Sequence, residues 1–156
     1  MGMDVYGKKP KNNQGEYFRA NVWYWHPLWS YCEQFHPTIA SKVQHGHDNS
    51  GDGLNASDSL LLANLLKRDI ETGIAQNYIK EYYEYLDSLP LEDCQYCDGK
   101  GTRDWSQEDG TTLTKQCNGC KGELKVKSFQ TWYHMDLDLM KEFQQFLENC
   151  GGFKIC

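Results

Sequence analysis

Apolar positions recur with a helical period in the middle of the chain. From about Ala56 to Glu71 they return every three or four residues, which is typical of a helix with one buried face. Asn55 or Ser57 is predicted to cap the first turn, and Gly73 to end the helix. The apolar positions of this segment include Leu61, Leu62, Leu65, Leu66 and Ile70.

Two further segments show the same period. Ile74–Leu89 repeats apolar or aromatic residues every four positions and stops before Pro90, and the short link that precedes it predicts an antiparallel helical pair. Leu137–Asn149 predicts a last helix, with Asp136 as its cap. Helices are therefore expected on both sides of the stretch between Pro90 and Asp136.

The N-terminal part mixes turn residues with aromatic side chains. Residues 1–21 are rich in Gly and Asn, and a short strand is predicted at Asp4–Tyr6. Pro27 suits the first turn of a helix that continues to about Phe35. Pro37 can begin a second short helix that includes Val43.

Four of the seven cysteines form two C-x-x-C pairs. Cys94 and Cys97 are followed by Cys117 and Cys120, a spacing that fits one tetrahedral site of four thiolates. The intervening stretch carries Glu108-Asp109-Gly110, which predicts a hairpin turn that returns the second pair to the first. We expect one structural Zn²⁺ ion here. A closed shell of four cysteines leaves no position for catalysis.

The two pairs also resemble a known repeat. Cys94-x-x-Cys97-x-Gly99-x-Gly101 is similar to the C-x-x-C-x-G-x-G repeat of the DnaJ-type cysteine-rich domain, and the second pair matches it except that Leu124 replaces the last glycine. That family carries four repeats and two zinc ions, so the resemblance implies one zinc ion for two repeats, and a role in protein contacts. It covers about residues 92–127, and the chain has no His-Pro-Asp motif, so co-chaperone activity is not implied.

The rest of the chain resembles small uncharacterised proteins of phages and bacteria. The resemblance rests on Gly2–Gly7, Gly15–Arg19, the tryptophan-rich block that follows and the Gly-Gly-Phe near the end. It implies no activity. For a phage protein, it suggests a regulator or accessory protein that acts in the host cytoplasm.

The loop 45–54 is a second candidate for metal binding. His45, His47, Asp48 and Asp52 could hold a divalent ion, although the alternative is a solvated polar loop. The loop also resembles the first half of an EF-hand, but Ser59 stands where the bidentate glutamate belongs, so tight calcium binding is not expected.

The tryptophans allow three interpretations, which are core packing, a surface for a partner protein, and a platform that stacks on nucleic-acid bases. Trp23, Trp25 and Trp29, together with Trp105, could form a partner surface, but aromatic side chains of this size also build cores.

Cys32 and His36 are spaced four residues apart and could form a nucleophilic pair if one helix spans both. Pro37 disfavours this pair, because the residue before a proline avoids helical geometry.

Composition and charge limit the class of protein. The chain has 156 residues with five Trp, ten Tyr and six Phe, which suits one compact core with an aromatic interior. It has no long apolar run, so no membrane contact is expected, and no export signal, so a cytoplasmic protein with reduced thiols is expected. A net charge of −6 without a basic stripe disfavours nucleic acid.

The fold expected is α+β, mainly α. A helical and aromatic core domain would comprise residues 1–93 and 128–156, with a zinc-binding β-hairpin inserted over 94–127. Its helices are predicted over 27–43, 56–72, 74–88 and 137–149. The function expected is a non-enzymatic protein-interaction or regulatory protein stabilised by zinc. The alternatives are a small metal-dependent enzyme using His45, His47 and Asp52, and a zinc finger that binds nucleic acid.

Overall fold

A computed structural model describes residues 2–156. The fold is α+β and mainly α, as the sequence predicts, and the chain divides into two compact units. The first unit runs up to Glu84 and resumes at Trp132, and the second extends from Tyr85 to Thr131. They are called the aromatic domain and the cysteine module below.

The aromatic domain begins with a strand, β1 (Gly2–Gly7), which is longer than predicted. It pairs antiparallel with β2 (Tyr17–Asn21) on one side and with β7 (Phe153–Ile155) on the other. Alternate residues of all three strands are buried, which is the period expected when one face of a sheet covers a core. These residues are Met3, Val5, Phe18, Ala20, Phe153 and Ile155.

The first helix, α1 (Val22–Phe35), starts five residues earlier than predicted. Asn21 caps it by accepting a hydrogen bond from the Trp23 amide at 3.1 Å, so Pro27 lies inside the helix. Proline cannot donate to the carbonyl four residues before it. That carbonyl, of Trp23, instead accepts the amide of His134 at 2.9 Å, and this bond makes the proline tolerable there.

The other helices follow the predicted pattern closely. A short α2 (Pro37–Ala40) ends before Val43, so the second predicted helix is too long. Next come α3 (Ala56–Glu71), with Asn55 as its cap, and α4 (Ile74–Ser88). The last helix, α5 (Leu137–Asn149), is capped by Asp136 and packs on α3.

Aromatic rings fill the centre of this domain. Trp25 and Trp29, one helical turn apart, stack with their planes 7° apart, and Phe143 meets the edge of Trp25. Phe18 and Phe153 bring the sheet into the same cluster. Each such ring removes a large apolar area from water, so this packing supplies the main stabilisation of the domain.

The cysteine module consists of short strands and turns. Strands β4 (Thr102–Ser106) and β5 (Thr112–Gln116) form the predicted hairpin, with Gly110 in the turn at a positive φ of 81°. Strands β3 (Glu92–Asp93) and β6 (Lys125–Val126) pair antiparallel.

Candidate metal centre

The structure brings the four predicted thiols together in the cysteine module. The Sγ atoms of Cys94 and Cys117 lie 3.8 Å apart, and those of Cys97 and Cys120 lie 3.7 Å apart. All four sulfur atoms lie within 4.8 Å of one another, and all four residues are buried. Sulfur atoms of a tetrahedral site with ~2.3 Å bonds would lie ~3.8 Å apart, so the thiols are positioned to bind a metal ion.

Each C-x-x-C pair makes the same tight turn. The residue after the second cysteine and the glycine that follows both have positive φ: Asp98 and Gly99 in the first repeat, Lys121 and Gly122 in the second. Glycine is the residue that adopts this region at no steric cost. The C-x-x-C-x-G pattern therefore indicates a turn in which the backbone of each repeat folds back around its own two sulfur atoms.

The two repeats are joined by reciprocal hydrogen bonds. The Cys94 amide donates to the Leu124 carbonyl at 2.9 Å, and the Cys117 amide donates to the Gly101 carbonyl at 2.8 Å. Gly101 and Leu124 occupy the same position in their repeats, so each repeat completes the other. Two repeats therefore make one closed site.

Leu124 shows why the departure from the glycine pattern is tolerated. Its φ of 67° lies close to the 77° of Gly101, so the backbone of the second repeat is the one that glycine would adopt. Its side chain lies against Gly101, where an added Cβ would come within 2.7 Å of a Leu124 methyl carbon. The Leu124 side chain therefore fills the space beside Gly101 that would be empty if glycine stood at position 124.

Backbone amides point at the sulfur atoms. The Gly101 amide donates to Cys97 Sγ at 3.2 Å. The amides of Cys120 and Gly119 lower the pKa of Cys117 to about 7, whereas burial raises the pKa of Cys94 to about 11. Such donors favour the thiolate, which is the form that binds metal.

Little apolar packing supports the module besides the thiols. Its buried cluster consists of the four cysteines, with Val126 packed against them. An apolar cluster this small cannot offset the conformational entropy of ordering the surrounding turns. A bound ion is therefore the natural source of the missing stability.

The hairpin presents two unlike faces. Thr102, Asp104 and Ser106 and their strand partners make one face polar. On the other, Trp105 lies opposite Leu113 and Arg103 opposite Lys115. The Arg103 guanidinium carbon lies 5.4 Å from the Trp105 ring and 5.8 Å from the Tyr96 ring, which is cation–π distance. We call this set of five residues the hairpin face.

The loop 45–54 does not gather its four candidate ligands. The Asp52 carboxylate accepts hydrogen bonds from the backbone amides of His45 and Gly53. The His45 side chain pairs with Asp48. His47 points elsewhere, toward α1. Within residues 2–156 the cysteine cluster is the only group of three or more His, Cys, Asp or Glu side chains placed to hold an ion. A site built from His45, His47, Asp48 and Asp52 is thus not formed.

The tryptophans separate into core and surface. Trp25 and Trp29 are fully buried, so the partner-surface interpretation is wrong for these two. The Trp25 indole donates to the Gly46 carbonyl at 2.7 Å, which fixes the loop onto the core. Trp23 is only partly buried and packs edge-on against Tyr133. Trp105 keeps 41% of its surface exposed, in the hairpin face.

Two interactions of the aromatic domain escape sequence reasoning. His36 does not meet the Cys32 thiol but pairs with the buried Asp69 at 2.6 Å, and the Tyr31 hydroxyl donates to the same carboxylate at 2.8 Å. Burial raises the pKa of Cys32, which makes it a poor nucleophile. The second interaction joins His26 on α1 to His47 in a loop. No sequence pattern predicts this contact, because the two residues belong to separate elements.

None of the helices within residues 2–156 combines the length and the apolar character needed to cross a membrane. Comparison of the chain with family models, with curated proteins and with solved structures found no match. The chemistry of the cysteine cluster and its surroundings therefore carries the functional argument.

Proposed function

We propose that the protein is a non-enzymatic interaction protein in which one zinc ion, held by Cys94, Cys97, Cys117 and Cys120, folds the cysteine module and thereby presents the hairpin face to a partner protein. Zinc is the ion that best fits four thiolates in tetrahedral array. It is structural, because four protein ligands leave no open position.

The hairpin face is the observation that carries this proposal. Tyr96 is 68% exposed, and Trp105 and Leu113 are each 41% exposed, on a segment with almost no core of its own. Aromatic residues and arginine dominate the energetics of protein interfaces. Exposed rings that are held rigid by a metal site need little further ordering when a partner binds.

The charges on this face favour an acidic partner segment. Arg103 and Lys115 lie directly opposite each other, a like-charge pair that weakens the hairpin. Within the described residues 2–156 neither forms an ion pair. A protein segment that combines carboxylates with an apolar or aromatic side chain would neutralise both cations and cover Trp105.

The remaining expectations belong to the same proposal. A reducing cytoplasm would keep the four thiols available for zinc. The DnaJ-type resemblance is consistent with a module that contacts proteins, and the resemblance to phage proteins suggests a host protein as the partner.

Site-specific photo-crosslinking tests the proposal. A photo-reactive phenylalanine analogue replaces Trp105 in one zinc-loaded protein and Thr114, on the opposite hairpin face, in another. We expect only the first to crosslink one dominant protein from a lysate of the native host, through a peptide rich in Asp or Glu. The purified partner should then bind wild-type protein more tightly than Arg103→Ser, with an affinity that falls as salt rises.

Three outcomes would contradict the proposal. Equal crosslinking from Trp105 and Thr114 would show that the hairpin face is not the contact. Crosslinking to nucleic acid would favour the zinc-finger alternative. Equal partner binding by wild-type protein and Arg103→Ser would remove the charge argument.

A further inference from the structure

Two histidines of the aromatic domain face each other at the surface. His26 lies on α1 and His47 on the loop that follows α2, and their Nδ1 atoms are 2.8 Å apart. Their ring centroids are 5.0 Å apart, with the planes tilted by 40°. The pair lies outside the cysteine module, so whatever it binds is independent of the four thiols.

Glu33 fixes the tautomer of the His47 ring. Its carboxylate lies 3.1 Å from Nε2 of His47. Glu33 follows His26 by seven residues, two turns along the same face of α1, so His47 spans the gap between them. A carboxylate at Nε2 keeps the proton there and leaves the lone pair of Nδ1 free, which is how metal-binding histidines are oriented.

The spacing of the two Nδ1 atoms fits adjacent positions around an ion. Ligands at right angles, with bonds of ~2.0 Å, lie ~2.8 Å apart, whereas tetrahedral ligands lie ~3.3 Å apart. Right-angled nitrogen ligands are the arrangement that Cu²⁺ and Ni²⁺ prefer. Burial and the neighbouring His47 lower the pKa of His26, which favours the neutral ring that binds metal. His47 keeps 40% of its side chain exposed, so water can fill the remaining positions.

We propose that His26 and His47, with Glu33 orienting His47, form a second metal site that takes a divalent transition-metal ion of tetragonal geometry, such as Ni²⁺ or Cu²⁺. Without an ion, one Nδ1 carries a proton and donates it to the other. When the ion binds, the Nδ1 proton is released to water and the same ring takes up a proton at Nε2, so both rings stay neutral and both Nδ1 lone pairs bind the ion. This site replaces the one that the sequence suggested at His45, His47, Asp48 and Asp52.

Calorimetric titration of Ni²⁺ into the zinc-loaded, untagged chain tests the site. We expect one Ni²⁺ per chain, without release of zinc. His47→Gln should weaken binding at least about tenfold, because one of the two protein ligands is lost, and His26→Gln should do the same. Glu33→Gln should weaken it about tenfold. His45→Gln, in the same loop but outside the site, is the matched control and should change the affinity by less than about twofold.

Several results would overturn the proposal. These are the absence of Ni²⁺ binding to the wild-type chain, equal weakening by His45→Gln and His47→Gln, and full binding by His47→Gln. Circular dichroism of each variant checks the fold. If His26→Gln unfolds, His47→Gln decides, since His47 lies on an exposed loop.

Discussion

The two units of this protein differ in what stabilises their folds. The aromatic domain buries a large cluster of side chains, in which Trp25 and Trp29 lie at the centre and are fully shielded from water. The cysteine module buries four thiols and little else, and its aromatic residues Tyr96 and Trp105 point outward. Similar residue types therefore serve stability in one unit and are left for binding in the other.

The contrast teaches where each unit is vulnerable. Removal of a metal ion should leave the aromatic domain intact, because its stability comes from burial of apolar area. The same removal should unfold the cysteine module, because no core replaces the ion. Conversely, loss of one aromatic ring should damage the first unit far more than the second.

The largest effect is expected from loss of a thiol in the cluster. Cys94→Ser or Cys117→Ser should weaken zinc binding at least about a hundredfold and unfold the cysteine module, because a structural site needs all four ligands. Metal analysis measures the zinc content, and hydrogen exchange of the amides in the module measures its unfolding. Cys156→Ser, a thiol outside the cluster, is the control and should bind zinc normally. Unchanged zinc content in both cluster variants would contradict the assignment.

A pair of tryptophan substitutions comes next. Trp25→Ala should lower the free energy of unfolding of the aromatic domain by about 4 kcal/mol, since it opens a cavity in the core. Trp105→Ala should change the stability by less than about 0.5 kcal/mol, since its ring is largely exposed. Denaturant titration compares the two variants. Equal destabilisation by both would remove the distinction between core and surface tryptophans.

Asp69 tests the buried polar contact in the aromatic domain. Asp69→Ala should destabilise that domain by about 3 kcal/mol, because Tyr31 and His36 lose their partner in a buried site. Asp104→Ala, at an exposed position of the hairpin, should cost less than about 0.5 kcal/mol. Thermal unfolding followed by circular dichroism measures both variants. A loss of similar size for the two would mean that burial of the Asp69 carboxylate has no energetic consequence.

The smallest effect should be a gain. Leu124→Gly should stabilise the zinc-loaded module by up to about 1 kcal/mol, because Leu124 has a φ of 67°, which glycine adopts freely. Leu113→Gly, the same change inside a strand, should destabilise the module by about 1 kcal/mol. Competition with a chromophoric zinc chelator ranks the two variants. The opposite order would show that the Leu124 contact with Gly101 outweighs the backbone strain.

Much of the fold can be predicted from the sequence, because local patterns specify the helices and the cysteine turns. The helices α3, α4 and α5 have a clear period and proper caps at Asn55 and Asp136, so local signals and tertiary packing agree. The clustering of the thiols follows from the spacing of the C-x-x-C pairs and the turn at Gly110, because both are short-range features.

The missed features depend on contacts between distant segments. β7 has three residues and follows two glycines, so it becomes a strand only because β1 offers an edge to pair with. The early start of α1 relies on the His134 amide, more than a hundred residues away, which satisfies the carbonyl that Pro27 leaves free. The pairs His36–Asp69 and His26–His47 likewise join elements whose proximity no local pattern encodes.

Hydrogen exchange of the apo and zinc-loaded protein, both under reducing conditions, tests most directly whether a metal ion folds the cysteine module. With zinc bound, the amides of Cys94, Gly101 and Cys117 should exchange slowly, since all three are hydrogen-bonded at the site. Without zinc these amides should exchange at the rate of an unfolded chain, while amides in α1 and α3 keep their protection. Equal protection of the module with and without zinc would contradict the account.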